Sequence, residues 1–181
     1  MIRGTVTALS GGHPVRRSRP GILFLFCALI GMLSPALAAC PYETDGGGTD
    51  QTAVAAGCMI RIGDGLLLVR HRFTGKLGVP AGYSSGQESP RCTAYRETFE
   101  ETGIEVTVHE LLQEFGSGFH LYHCRPAGEI GRSDDIDVPA SGVYEISSVI
   151  LIDPATVPQN EWRFPEQHSE MLSLFGTLDP L

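Results

Sequence analysis

Polar and apolar positions change rhythm several times along the chain, and each change marks an element. Over residues 53–70, AVAAGCMIRI runs through Gly63-Asp64-Gly65 into LLLVR. Met59 and Arg61 alternate with Ile60 and Ile62, and this period of two around an Asp-Gly turn predicts a β-hairpin. Leu77 to Ala81 lead into a loop at Gly82, after which the pattern turns helical. Ser89 is a good N-cap, Pro90 fits the first helical position and Gly103 suits the left-handed C′ position, so a helix is predicted over residues 90–102. Strands follow near residues 105–115 and 118–124, then a polar loop over 126–141 and an apolar strand over 143–153. Residues 165–175 close the chain as a second helix, with Met171, Leu172, Leu174 and Phe175 on its buried side. Strands and helices are interspersed, so the class is α/β or α+β with a mixed sheet.

The ends add a compartment. Residues 1–39 carry Arg3, Arg16, Arg17 and Arg19, no Asp or Glu, and a nearly unbroken apolar run over 21–33. That run is shorter than the roughly 20 residues of a spanning helix. With Ala36-Leu37-Ala38 at its exit, it predicts a cleaved signal peptide rather than an uncleaved anchor. Leu37-Ala38-Ala39-Cys40 also has the form of a lipobox, which would lipidate Cys40 and place the protein on a membrane. Ordinary cleavage leaves Cys40, Cys58, Cys92 and Cys124, an even set that suits an oxidising compartment, periplasmic or secreted. We expect Cys40 to pair with Cys58 and Cys92 with Cys124, in a chain whose residues 40–52 form a flexible lead-in to a domain over 53–181. Without residues 1–39 there are 9 basic against 21 acidic side chains, a formal −12, which argues against nucleic acid and acidic membranes as partners. No feature of the sequence defines an oligomeric state.

The predicted first helix is electrostatically odd. Glu97, Glu100 and Glu101 share one face at i, i+3 and i+4, where like charges repel by a few tenths of a kcal/mol per pair. They also occupy its last two turns, where the macrodipole is negative. A cation would relieve both. Gly82, Glu88, Arg96, Glu97, Glu100, Glu101 and Gly103 stand at the spacing G-x5-E-x7-R-E-U-x-E-E-x-G-U. Seven fixed positions arise by chance about once in 10⁹ windows when each residue type is used at roughly a twentieth. The stretch over residues 82–104 therefore resembles the Nudix box, with Thr98 and Ile104 at the U positions. Three flanking or internal positions depart from the common pattern: Leu77 in place of Trp, Ala81 in place of the first Gly of Pro-Gly-Gly, and Thr98 in place of an aliphatic residue.

The resemblance implies an α/β/α sandwich with a central mixed β-sheet and Mg²⁺-dependent hydrolysis of a diphosphate linked to another moiety, X. It implies that Glu97, Glu100, Glu101 and the Gly82 carbonyl hold Mg²⁺, with Mn²⁺ a possible substitute, as hard cations prefer oxygen ligands. Arg96 would orient the glutamates and Glu88 brace the loop. The general base would be Glu100, with Glu145, just before the third apolar strand, as the second candidate. Tyr83, Phe119, His120, Tyr122 and His123 are candidates to line a pocket for a flat group, and Trp162-Arg163-Phe164-Pro165 to close one side of it. The basic cluster Arg70-His71-Arg72 is either a solvated strand end or a phosphate contact. Two other readings stay open: a catalytically silent ligand-binding module, and an isomerase of an isoprenoid diphosphate, which would need a cysteine and a glutamate together in the pocket.

Overall fold

Alternate residues of the same strands feed two separate hydrophobic cores, and a helix covers each. The computed structural model describes residues 40–42, 53–86, 88–130 and 135–180. The predicted signal peptide lies outside them. Strands β1 (Ala55–Met59), β2 (Arg61–Ile62), β3 (Gly65–His71), β4 (Leu77–Gly78) and β5 (Ala81–Tyr83) precede α1 (Pro90–Thr102). Then come β6 (Val106–Phe115), β7 (Phe119–Pro126), β8 (Asp135–Ile136), β9 (Ile146–Ile152) and α2 (His168–Thr177). Ala56, Cys58, Ile60, Leu67, Val69, Tyr122 and Cys124 pack with Ala94 of α1. Their neighbours Met59, Leu66, Leu68 and Leu121 point the other way, toward Trp162 and Met171 of α2. Burial of both faces explains why Leu66 to Val69 is an unbroken apolar run.

The strands form two ladders, ordered β5-β1-β7-β6 and β2-β3-β9-β8, with β4 added on β3. Only β1 and β7 run parallel; the other named pairs are antiparallel. The sheet is thus mixed, as expected. The expected first hairpin is corrected in detail. Its turn pair is Gly63-Asp64, closed by Ile62 opposite Gly65, because the positive φ falls on Gly63 (57°). Only the two-residue β2 belongs to it, while β1 joins the other ladder. The strand expected from residue 143 begins at Ile146, since 140–145 are turns, and the last helix opens with a 3-10 turn, Pro165–Gln167.

The expected cysteine pairing is also corrected. Cys40 is joined to Cys92 and Cys58 to Cys124, with Sγ–Sγ distances of 1.97 and 2.01 Å. Parallel pairing of β1 with β7 sets Cys58 opposite Tyr122, two residues from Cys124 on the same face. Residues 40–42 lie against α1 and β6. The Tyr42 hydroxyl accepts from the Val108 N–H at 2.6 Å, and its ring stands edge-on to Tyr95.

Helix α1 has the predicted bounds. The Ser89 hydroxyl accepts from the Cys92 N–H, and Gly103, at φ 72°, donates its N–H to the Phe99 carbonyl. Thr98, fully buried where an aliphatic residue is usual, donates its hydroxyl to the Ala94 carbonyl at 2.8 Å. That bond removes the cost of burying an unpaired hydroxyl.

Candidate active site

Arg96 sits at the centre of the acidic face of α1. Its Nε and Nη2 fork onto the Glu88 carboxylate, at 3.0 Å to Oε1 and 2.9 Å to Oε2. Its Nη1 donates to Glu97 Oε1 at 2.7 Å and Glu100 Oε2 at 3.0 Å, and its Nη2 also reaches the Tyr83 carbonyl at 3.0 Å. One guanidinium thus ties the β5 loop to three carboxylates. Burial would weaken its hold on its proton, but the bonds and charges of Glu88 and Glu97 more than reverse this and raise its pKa. Burial likewise acts to raise the Glu88 carboxyl, but Arg96, the Ser85 N–H and Thr93 outweigh it, and Glu88 is held ionised.

Glu97 and Glu101 are in the opposite condition. Burial pushes the Glu97 carboxyl up; Arg96 offsets only part of this, and Glu100 and Glu145 add to the rise. Glu101, 4% exposed, is pushed up to about 8 by burial, against the pull of the Ala81 N–H that donates to its Oε2 at 3.0 Å. The charges of Glu97 and Glu145 push it further, while that of Arg163 acts the other way. A cation at this face would reverse both shifts.

Backbone approaches shape the rest. A Cβ built on Gly82 would overlap the carbon and both oxygens of the Glu97 carboxylate, so only glycine lets that carboxylate lie on the β5 backbone. At Gly142 a Cβ would come within 2.7 Å of the Glu100 carbonyl. The loop before β9 therefore packs directly on the last turn of α1, where Ser141 donates its hydroxyl to that same Glu100 carbonyl at 2.8 Å. This docking brings Glu145 to the α1 face. Ser141 and Gly142 were not anticipated, since nothing local in the sequence announces a contact with a helix some forty residues earlier.

These groups, apart from Glu88 and its partners Ser85 and Thr93, open on one cavity of about 750 Å³. Gly82, Arg96, Glu97, Glu100, Glu101 and Glu145 line one side, and Tyr83, Phe119, Trp162, Arg163, Phe164 and Met171 line the remainder. Tyr83 and Phe119 thus stand where expected, as does the Trp162 to Phe164 segment. His120, Tyr122 and His123 do not: Tyr122 packs in the core on α1, and the buried His123 bonds Glu110 at 3.0 Å. Of the basic cluster, Arg72 donates to the Val143 and Ile146 carbonyls and Arg70 to the Gly75 carbonyl, so both serve the strand end.

A family model, the NUDIX domain, matches residues 51–171. The chain belongs to the Nudix family. Over 117 residues it is 32% identical to a MutT-like protein of Streptomyces ambofaciens, an alignment covering 55% of this chain and 76% of that one. Solved Nudix structures share its fold. An ADP-ribose pyrophosphatase of Streptococcus suis superposes with a TM-score of 0.53 at 17% identity, over 67% of this chain and 87% of the other. A Nudix hydrolase from Nitrosomonas europaea gives 0.54 at 22% identity, over 72% and 73%. As a Nudix family member with every charged box residue present, the chain has donors of the right chemistry for a hard divalent ion: buried or half-buried carboxylate oxygens and the carbonyl of a glycine beneath one of them. Among the described residues no three such side chains converge as a finished metal cage, and Arg96 and the Ala81 N–H bond oxygens of Glu97, Glu100 and Glu101. The fit lies in the donor type and in the buried carboxyls of Glu97 and Glu101, whose ionised form burial disfavours and a bound cation would favour.

Proposed function

We propose that the cavity hydrolyses a small-molecule diphosphate linked to another moiety, with Mg²⁺ held by Glu97, Glu100, Glu101 and the Gly82 carbonyl, and Mn²⁺ able to replace it. The observation that supports this most is the pair Glu97 and Glu101, both pushed up by burial on a face that also carries Glu100 and Glu145. Bound there, a divalent ion would neutralise the diphosphate and lower the pKa of a bound water. Glu100 is the general base that takes the proton as water oxygen attacks phosphorus and the bridging P–O bond breaks. Glu145, on the same wall and exposed, is the second candidate for that proton. Arg96 holds Glu97 and Glu100 in place and Glu88 holds Arg96, so both support the ligands rather than touch the substrate.

The isomerase reading loses its cysteine: Cys92 and Cys124 are fully buried, each joined to another cysteine, and neither lines the cavity. The silent-module reading has no missing box carboxylate to support it. Two disulfides favour an oxidising compartment, and a Cys40 sulfur bonded to Cys92 is not available for lipidation. We therefore place the enzyme outside the cytoplasm in soluble form, where dinucleotides, nucleotide sugars and diphosphate-bearing envelope precursors are the substrates to try first. The test is a panel of such compounds incubated with Mg²⁺ or Mn²⁺ beside a Glu100→Gln variant. Product release by the natural protein and a loss of at least a hundredfold in the variant are expected; equal rates would remove Glu100 from the mechanism, and no product with any compound would sink the hydrolase.

A further inference from the structure

The same cavity is lined by a second arginine with a different kind of partner. Trp162, 3% exposed, pairs with Leu77 at the sheet edge, and the Arg163 N–H donates to the Leu77 carbonyl at 2.7 Å. The backbone at Arg163 is therefore fastened while its exposed side chain lines the cavity. Among the described residues Arg163 forms no ion pair with a carboxylate. Its Nη1 instead meets the ring of His71, at 3.0 Å from Nε2 and 3.3 Å from Nδ1, and its guanidinium carbon lies 5.4 Å from the centre of the Phe164 ring. His71 ends β3 and is buried; burial first, and then the Arg163 charge, push its pKa down to about 4. At neutral pH the ring is uncharged, and Nη1, close to both ring nitrogens at once, lies over the face of the imidazole between them rather than on one lone pair. Gly78 leaves room for the pair, since even a Cβ there would stand 3.5 Å from His71 Nε2 and 3.7 Å from Arg163 Cβ.

The contrast with Arg96 carries the inference. Three carboxylates offset the charge of Arg96 and take up its donors. A neutral imidazole orients Arg163 without cancelling its charge, which leaves a directed cation facing a cavity that the glutamates also line. A planar guanidinium matches the geometry of phosphate oxygens. Resting on the hydrolase reading above, we infer that Arg163 binds a phosphate group of the substrate's diphosphate, and that His71 is the residue that positions it.

Methylenediphosphonate, which has the two phosphorus centres but no hydrolysable bridge, is a suitable probe, with Mg²⁺ present and binding followed by calorimetry. Arg163→Ala is expected to weaken binding at least tenfold, and Arg163→Lys to recover part of it, with the melting temperature unchanged because the side chain is exposed. His71→Gln is expected to weaken binding severalfold alone and to add nothing in the Arg163→Ala background. Binding by Arg163→Ala equal to that of the natural protein overturns the assignment, and a further full loss on adding His71→Gln overturns the positioning role. With a hydrolysed substrate, the Arg163→Ala effect should fall on KM; a loss confined to kcat also overturns the inference. Glu100→Gln keeps the two readings apart. If no diphosphate is turned over yet probe binding still depends on Arg163, the hydrolase reading fails alone; if turnover is intact and the probe is indifferent to Arg163, this inference fails alone.

Discussion

The Glu97 carboxylate rests on the α-carbon of Gly82, in space that a methyl group would occupy. Gly82→Ala must therefore displace either the β5 backbone or Glu97, and Glu97 cannot turn away without breaking its 2.7 Å bond to Arg96. Overpacking of this kind costs about 1–3 kcal/mol. We expect a modest fall in melting temperature and a loss of about a hundredfold or more in kcat/KM, since a misplacement of about 1 Å in a catalytic group is enough for that. Thermal unfolding and steady-state kinetics on the same preparation check both.

Arg96→Lys keeps the charge and removes the fork. Lysine cannot bond Glu88 through two nitrogens while also reaching Glu97, Glu100 and the Tyr83 carbonyl. Loss of such support for metal ligands typically costs 10–100-fold in affinity or activity. The apparent Mg²⁺ requirement should rise with the loss of rate. Because Glu88 reaches the other glutamates through Arg96, Glu88→Gln should add less in the Arg96→Lys background than alone, the remainder coming from its bonds to the Ser85 N–H and the Thr93 hydroxyl, and a double-mutant cycle reads the coupling directly.

These two contacts show which parts of the site are legible in one dimension. Helix α1, its caps and the acidic stripe follow from neighbours within a few residues, and the sequence places them correctly. The walls do not follow in this way. Ser141 and Gly142 dock on Glu100 through a loop with no regular pattern, and the Leu77 carbonyl takes the Arg163 N–H from 86 residues away. His120 and His123 mislead for a related reason. The facing of a strand residue depends on which sheet face is covered, and β7, like β3, is covered on both. The disulfides failed on the same ground: parallel pairing of β1 with β7 skips 66 positions between Cys58 and Cys124.

His71 predicts a pH dependence of stability. Its folded pKa, about 4, lies below the ordinary 6.5, so between these values the unfolded chain holds a proton that the folded chain excludes. Stability from this group is complete above pH 6.5 and declines as pH falls toward 4. The loss is on the order of 2 kcal/mol once solvent screening beside the open cavity is allowed for. The Arg163 guanidinium and the Gly78 backbone stand beside the ring. Melting temperatures of the natural protein and His71→Gln, measured from pH 7.5 to 4.5, should converge as the pH falls; parallel curves would show that His71 is not held neutral.

The two disulfides predict unequal effects of reduction. Both join distant residues, 52 and 66 apart, and closing loops of this size stabilises a fold by up to about 4 kcal/mol in the chain-entropy account. Cys58–Cys124 lies fully buried in the core between β1 and β7, so its loss also perturbs packing there. Cys40–Cys92 joins residues 40–42 to the first turn of α1, the helix that carries the box. Replacing Cys40 by Ser should therefore lower the melting temperature less than replacing Cys58, while loosening the Tyr42 contacts with Tyr95 and the Val108 N–H. Non-reducing peptide mapping decides the pairing itself. Peptides linking Cys40 to Cys92 and Cys58 to Cys124 are expected, and a Cys40–Cys58 peptide from folded protein would overturn the arrangement.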